Sequence, residues 1–413
     1  MSEDAAEPAS RFAVFRYRGF TMTILGKMLA IFANQMQVVA LGWQIYNLTN
    51  DPLDLGLVGL FQFMPAVFLI LVTGHIADRY DRRHVVASSF TLQGFCACLF
   101  LLFTLSDFGK AWPMFGIILL YGVARAFYTP ALQALLPNLV PTAEYPNAVA
   151  WNSSSSKVVI ITGPAIGGAL YAYAGPEVVY AACVVMFAAA ALMMFIVPAT
   201  SQTKRGKEPP TWASLMAGFS FIKSKPIVLG AISMDLFAVI FSGLPALMPI
   251  YARDILHVDA DGLGLLRSSQ AVGGLLSALV LTQIPPMRRS GAILFVCVGL
   301  FGLATLIFSY STIFLVSCAA LVLLGASDVI SVYIRLTLIQ LMTPDEMRGR
   351  VAAVNSVFIT ASNELGDFRA GLMASIVGPL AAAAAGGFVV LGVTALWWKL
   401  FPDLRAADRL DGK

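Results

Sequence analysis

The chain has 413 residues, of which 58% are hydrophobic and 12% charged, and its formal net charge is +4. A chain of this length with so few charges cannot cover its apolar surface as a soluble globule. The net charge says little by itself, whereas its distribution along the chain is informative, and the five cysteines show no metal-ligand spacing.

Residues 1–19 are polar, carry Glu3, Asp4 and Glu7, and lack the apolar core of a signal peptide, so they read as a cytoplasmic N-terminal segment. Twelve apolar stretches follow, at 20–46, 55–77, 84–105, 112–138, 147–173, 178–198, 226–251, 262–284, 291–309, 313–340, 351–377 and 381–398. Each can cross a hydrocarbon core roughly 30 Å thick as a helix, and backbone polar groups there need helices or closed barrels. The expected fold is an all-α integral membrane protein with twelve transmembrane helices in two pseudo-symmetric six-helix bundles, 20–198 and 226–398. Between the bundles, 199–225 is polar, basic and proline-bearing. It reads as a cytoplasmic linker with a short amphipathic helix over 212–222 lying along the membrane surface. Residues 399–413 form a cytoplasmic tail.

Charge distribution sets the orientation. With the N-terminus inside, nineteen Lys and Arg fall on the cytoplasmic side, two outside (Lys110 and Arg253) and six within spans. The outer loops carry Asp51, Asp54, Asp107, Glu177, Asp254, Asp259 and Asp261. This skew follows the positive-inside rule and predicts a multi-pass protein of a bacterial cytoplasmic (inner) membrane with both termini cytoplasmic. Cys96, Cys98, Cys183, Cys297 and Cys318 all fall inside spans and read as small packing residues.

Ten charges lie inside spans, and each such residue is a functional-site candidate by default. They are Lys27, Arg125, Lys157, Arg267, Arg335 and Arg369 against Asp235, Asp328, Glu364 and Asp367. Lys27, Arg267 and Arg335 are close enough to span ends to snorkel. Arg125, Lys157, Asp328, Glu364, Asp367 and Arg369 form the candidate proton-coupling or central charge network. Glu364 and Asp367 share one helical face; two carboxylates so close repel in a low dielectric, which suits a group that loads and releases a proton. Lys157 and Arg369 are their expected partners. The alternative is a static salt-bridge network holding the halves together. Asp235 is either a gate or a residue facing a wet vestibule. Gln35, Gln62, Tyr128, Gln270, Tyr333, Asn355 and Asn363 are the substrate-cavity candidates.

The halves repeat. A shift of 203 residues without a gap places Gly122 on Gly325, Arg125 on Asp328, Pro141 on Pro344, Asn152 on Asn355 and Gly168 on Gly371. Parallel six-span repeats around a midplane site are transporter architecture.

Between the second and third spans stands Gly74-x-x-x-Asp78-Arg79-x-x-Arg82-Arg83, which resembles the signature loop of the major facilitator superfamily. The resemblance covers essentially the whole chain and implies that Gly74, Asp78, Arg79, Arg82 and Arg83 form a conformational latch. The glycine that usually precedes the paired arginines is Asp81 here. Gly163-Pro164-Ala-Ile-Gly167-Gly168 is similar to the antiporter motif of the superfamily's exporters, with Val159 at the motif's earlier glycine; it implies a hinge or seal in span five. Arg125 resembles the span-four arginine linked to proton coupling, although Tyr128-Thr129 replace the motif's polar residue and glycine. The loops Asp78-Arg-Tyr-Asp-Arg-Arg83, Leu215–Pro226 and Met342–Val351 resemble the enterobactin-exporter and macrolide-efflux branch.

The resemblance implies a secondary active transporter: a proton-coupled exporter (antiporter) of a small amphiphilic compound such as a siderophore or drug, working by alternating access. Its expected partners are a small-molecule substrate, protons, membrane lipids and no nucleic acid, with the monomer as the functional unit. A lysophospholipid or nutrient carrier of the same fold is the alternative, and a receptor or scaffold the alternative outside transport. Ser153, Ser156 and His75 do not build a nucleophile elbow and no phosphate loop occurs, so neither an enzyme nor a cofactor or metal is expected.

Overall fold

In the computed structural model of the protein the described residues are 12–106, 108–198, 212–283 and 289–407, with the side chains at 70–71, 74–75, 77–78 and 212–215 outside the description. Glu3, Asp4, Glu7, Asp107, residues 199–211 of the linker and, in the expected latch, the surroundings of Gly74 and the side chain of Asp78 therefore lie outside the description.

The first bundle holds α1 (Arg18–Thr49), α2 (Pro52–Arg79), α3 (Arg82–Leu105), α4 (Trp112–Leu135) and α5 (Tyr145–Ile196). Its turns are chemically set. Asn50 takes the left-handed conformation (φ 52°) that ends α1. Asp51 then caps α2, accepting from the Leu53 amide at 2.9 Å, with Pro52 opening the helix. Asp81 caps α3 by accepting from the Arg83 amide at 3.1 Å; its φ of −61° needs no glycine, which accounts for the departure from the loop motif. Gly175 (φ 85°, followed by Pro176) breaks α5 into arms over 145–174 and 176–196.

The linker helix α6 (Trp212–Ser224) packs on the second bundle, which holds α7 (Pro226–Ser242), α8 (Leu244–Ile250), α9 (Ala260–Leu281), α10 (Ser290–Tyr310), α11 (Phe314–Met342), α12 (Asp345–Val377), α13 (Pro379–Leu400) and the short α14 (Pro402–Ala406). Gly243 (φ 52°) separates α7 from α8, which runs on into a π-helical turn, Tyr251–Ile255, so that the three form one interrupted span. Among the described residues ten helices are long and apolar enough to cross a membrane. With the two arms of α5 separated and the more polar α12 added, the described residues contain twelve helices of spanning length.

Short connections fold successive helices back on one another, giving the molecule a basic end, with Arg79, Arg82, Arg83, Arg348 and Arg350, and an acidic end, with Asp51, Asp54, Asp254, Asp259 and Asp261. The bundles meet along two seams, α5 on α9 and α2 on α12, and glycine sets both. A Cβ on Gly168 would fall 2.3 Å from the Ala260 carbonyl oxygen, and one on Gly264 2.3 Å from that of Pro164. On the other seam a Cβ on Gly371 would fall 2.7 Å from Gly56 Cα, and one on Gly56 2.9 Å from the Phe368 carbonyl oxygen. Small residues let membrane helices approach to backbone contact, replacing the hydrophobic drive that lipid does not provide. Near the basic end Gly19, Gly218, Gly230 and Gly291 approach only atoms of their own bundle or of the linker helix.

The pseudo-symmetry is visible in these contacts. Pro52, Gly56 and Gln62 stand 208 residues before Ala260, Gly264 and Gln270. Gly122 of α4 packs on the Gln62 carbonyl, and Gly325 of α11 packs on the Gln270 carbonyl. The α5–α9 seam is thus the counterpart of the α12–α2 seam.

Candidate transport cavity

A cavity of about 310 Å³ lies between the bundles, at the lower end of small-molecule sites. The first bundle contributes Gln35 and Val38 of α1 and Lys157, Ile160, Ile161 and Pro164 of α5; the second contributes residues of α8, α9 and α11, among them Met248, Arg267, Gln270, Asp328 and Val329. Gln35 donates to the Ile160 carbonyl at 3.4 Å and takes a 3.5 Å bond from Asn34, which accepts from Tyr121 at 2.6 Å. The wall is largely apolar with a few polar and charged groups.

Lys157 and Asp328 both face this cavity and have neither a hydrogen bond nor an ion pair among the described residues. Asp328 also borders a second space of about 10 Å³ inside the second bundle, shared with Asp235, Ser327 and Ser331. Gln62, Tyr128, Tyr333, Asn355 and Asn363, expected in the cavity, do not line it. Gln62 instead accepts from Arg125. Tyr128 packs against Phe90 with ring centroids 5.6 Å apart. Tyr333 is exposed, Asn355 buried, and Asn363 donates to its own helix at Ile359 (2.8 Å).

The central charges divide into three groups. Arg125 of α4 reaches across the bundle boundary to Glu364 of α12 at 3.8 Å. Asp367, one turn on, sits beside Arg267 and the Ala246 backbone; Gly59 of α2 packs against the Glu364 carboxylate and the Asp367 Cβ. The partners of this pair are therefore Arg125 and Arg267, where the sequence pointed to Lys157 and Arg369. Arg369 turns away and donates to the last carbonyls of α7, Ile240 at 2.9 Å and Phe241, where Gly243 interrupts that helix. Asp235 pairs with Arg335, 2% exposed, entirely within the second bundle, so Arg335 is held in an ion pair and does not snorkel. Arg267 likewise stays inside, donating to Pro245 at 3.2 Å. Lys27 bonds Asn152 at 2.7 Å.

At the basic end Arg83 pairs with Asp81 at 2.7 Å and donates to the Val197 carbonyl at 2.8 Å, while Arg82 donates to Ala134 at 2.9 Å. Arg79 is exposed at the end of α2. The loop thus ties α3 to the C-terminal ends of α4 and α5. In α5 Gly163 and Gly167 lie against Gln35 and Met36 of α1, while Pro164 and Gly168 form the α9 seam. The helix continues through them and breaks only at Gly175.

The acidic end holds a clamp that sequence reasoning missed. Arg253 of the π-helical turn stacks over the Tyr46 ring at 4.2 Å and donates to Asn47 at 3.0 Å, to Asn50 and to Asp254 at 2.9 Å; the Tyr46 hydroxyl donates to Asp254. One residue thereby joins both bundles. Its only trace in the sequence was a basic residue on a side that carries two.

A two-bundle helical membrane protein with glycine seams and a charged cavity on the bundle boundary is a transporter of the major facilitator class. The family described as transmembrane secretion effector matches residues 9–411, and the chain belongs to it. It is 26% identical to the enterobactin exporter EntS of Citrobacter koseri over 391 residues, covering 94% of this chain and 92% of that protein. Against EntS of Escherichia coli O157:H7 the identity is 25% over 397 residues, with the same shares. The fold matches an inward-facing, unoccupied bacterial homologue of the human lysosomal transporter Spinster (TM-score 0.69, 15% identity, 95% of this chain and 98% of that one). It also matches an inward-facing bacterial homologue of the iron transporter ferroportin (TM-score 0.69, 18% identity, 94% and 99%). Among the described residues no group of three or more His, Cys, Asp or Glu is placed to hold a metal ion.

Proposed function

We propose that the protein exports a small amphiphilic compound, a siderophore of the enterobactin kind or a drug-like molecule, from the cytoplasm in exchange for protons. It works as a monomer in a bacterial inner membrane. The basic end faces the cytoplasm, both termini lie there, and the bodies 20–198 and 226–398 rock about the cavity with 199–225 as linker. The likeness to enterobactin exporters over 94% of the chain supports export.

One observation carries the coupling: Arg125 and Glu364 meet at 3.8 Å across the boundary with Asp367 on the same face, at a seam that must part for the acidic end to open. Protonating Glu364 removes its attraction to Arg125 and frees the seam, so proton entry and opening become one event. Arg82 and Arg83 hold the basic-end loop in this state and are remade or released as the bundles move. Asp235, paired inside one bundle, serves as a gate only if that pair breaks.

Metabolite profiling of cells lacking the gene, beside the parent, in iron-rich and iron-starved medium identifies the cargo as a compound trapped inside and missing outside. Everted vesicles then test coupling. Adding that cargo to wild-type vesicles with an acidic lumen releases protons, and Glu364→Gln and Asp367→Asn abolish the release. Undiminished proton release in both variants refutes the coupling assignment; no trapped compound in either medium refutes siderophore export.

A further inference from the structure

Two opposite charges face the cavity without a counter-charge. Lys157 comes from α5 of the first bundle and Asp328 from α11 of the second; each lines the same space, and they do not pair with each other. Arg267 lines the wall too and keeps a buried Nε–H with no acceptor, but it donates to the Pro245 carbonyl and interacts electrostatically with Asp367. The unmatched charges are therefore one cation and one anion, set on opposite walls of an otherwise largely apolar chamber. Leaving a charge unpaired in such surroundings is costly. An anionic cargo would satisfy Lys157 and strand Asp328, a cationic one would do the reverse, and a neutral one would strand both.

We propose that the cavity selects a small zwitterionic amphiphile, its acidic group held by Lys157, its basic group by Asp328, and its apolar body by Val38, Ile161 and Met248. Bound this way, the cargo bridges the two bundles. The proposal deepens the export reading and rests on it. A soluble amphoteric metabolite and a single-chain zwitterionic lipid share this chemistry.

The test is equilibrium binding to the full-length protein in lipid nanodiscs, read by naphthyl fluorescence, with three probes sharing one apolar body: 2-naphthylalanine, 2-naphthylacetate and 2-naphthylmethylamine. Wild type should bind the zwitterion at least about tenfold more tightly than either singly charged probe, the factor that 1.4 kcal/mol of compensated charge gives. Lys157→Gln should lose the preference over the amine, and Asp328→Asn the preference over the acetate, while Lys157→Arg and Asp328→Glu keep both. The proposal is overturned if wild type binds no zwitterion or binds a singly charged probe as well. It is equally overturned if the two neutralising variants weaken all three probes alike while the conservative variants behave as wild type. Displacement by lysophosphatidylethanolamine assigns the site to a lipid, and retention of the probe to a soluble metabolite. No pH gradient is present, so failure here leaves proton-coupled export standing, and loss of coupling in vesicles leaves the zwitterion site standing.

Discussion

Replacing Gly168 by alanine should push the acidic end open. The added Cβ would lie 2.3 Å from the Ala260 carbonyl oxygen, 3.0 Å from Gly264 Cα and 3.1 Å from the Ala260 carbonyl carbon. All three are backbone, so no side chain can swing aside, and α5 and α9 must part by about 1 Å to restore ordinary van der Waals distance. Overpacking of this kind costs about 1–3 kcal/mol, and only the state with the seam closed bears it. The equilibrium between closed and open acidic ends should therefore shift about 5- to 150-fold. Gly371→Ala, against Gly56 Cα and N and the Pro52 carbonyl oxygen at 2.7 Å, should act in the same direction. Pulsed electron-electron resonance reads the shift from spin labels at Leu48 and Asp259, on opposite bundles at the acidic end, in a cysteine-free background. Gly392→Ala is the control, because nothing lies within 4 Å of its added Cβ. Unchanged distances in a folded Gly168→Ala protein, or an equal change in Gly392→Ala, would refute the wedge.

Arg253→Ala removes the cation–π contact and the hydrogen bonds that join Tyr46, Asn47 and Asn50 to the second bundle. Because these groups are partly exposed, the expected effect is modest, about 0.5–2 kcal/mol toward opening, seen with the same labels and weaker in high salt; a distance distribution like wild type's would remove the clamp from the closure. Asp235→Asn strands the buried Arg335 guanidinium and should cost about 3–5 kcal/mol of stability, read as a lower melting temperature in detergent. Asp235→Asn with Arg335→Gln should recover most of that loss, and a double variant as unstable as the single would show that the pair's charge is not the reason.

The fold was legible because a bilayer imposes a single-sequence signal: span length and spacing gave the helices, and the loop at 74–83 gave the class. Coinciding glycines gave more than the repeat. Gly122 with Gly325 and Gly168 with Gly371 prove to be paired contact points. Side-chain pairings were less legible, because two charges on one helix face are neighbours by geometry, whereas a partner on another helix depends on rotation and tilt. Glu364 with Asp367 followed from spacing; Arg125 and Arg267 as their partners, and Arg369 capping the broken end of α7, did not. The break itself was hidden, since Gly243 lies in an apolar run that reads as one unbroken span. Cavity residues fared likewise: of the polar residues nominated, Gln35 and Gln270 line the space between the bundles, but Gln62 is spent on Arg125 and Asn355 is buried elsewhere.

The two seams match in packing and differ in chemistry, and the difference bears on how a symmetric scaffold does asymmetric work. On the α2–α12 seam Gly59 lies against the Glu364 carboxylate and the Cβ of Asp367. Under the repeat, those two residues correspond to Ile161 and Pro164 of α5, and Gly59 corresponds to Arg267 of α9. On the α5–α9 seam backbone meets backbone, with Ser268 donating to the Ile161 carbonyl at 2.7 Å, and no carboxylate of α5 enters it. That seam is closed by backbone contacts and the Ser268 hydrogen bond, with no carboxylate pair set between the bundles. The other carries both carboxylates and the Arg125 bridge, so under the coupling proposed above a change of proton occupancy would act on one side of the molecule while the matching seam keeps the bundles in register. A charge introduced at Ile161 would therefore be expected to disturb closure itself, whereas under the proposed coupling neutralising Glu364 would uncouple closure from protons and leave the packing that produces it in place.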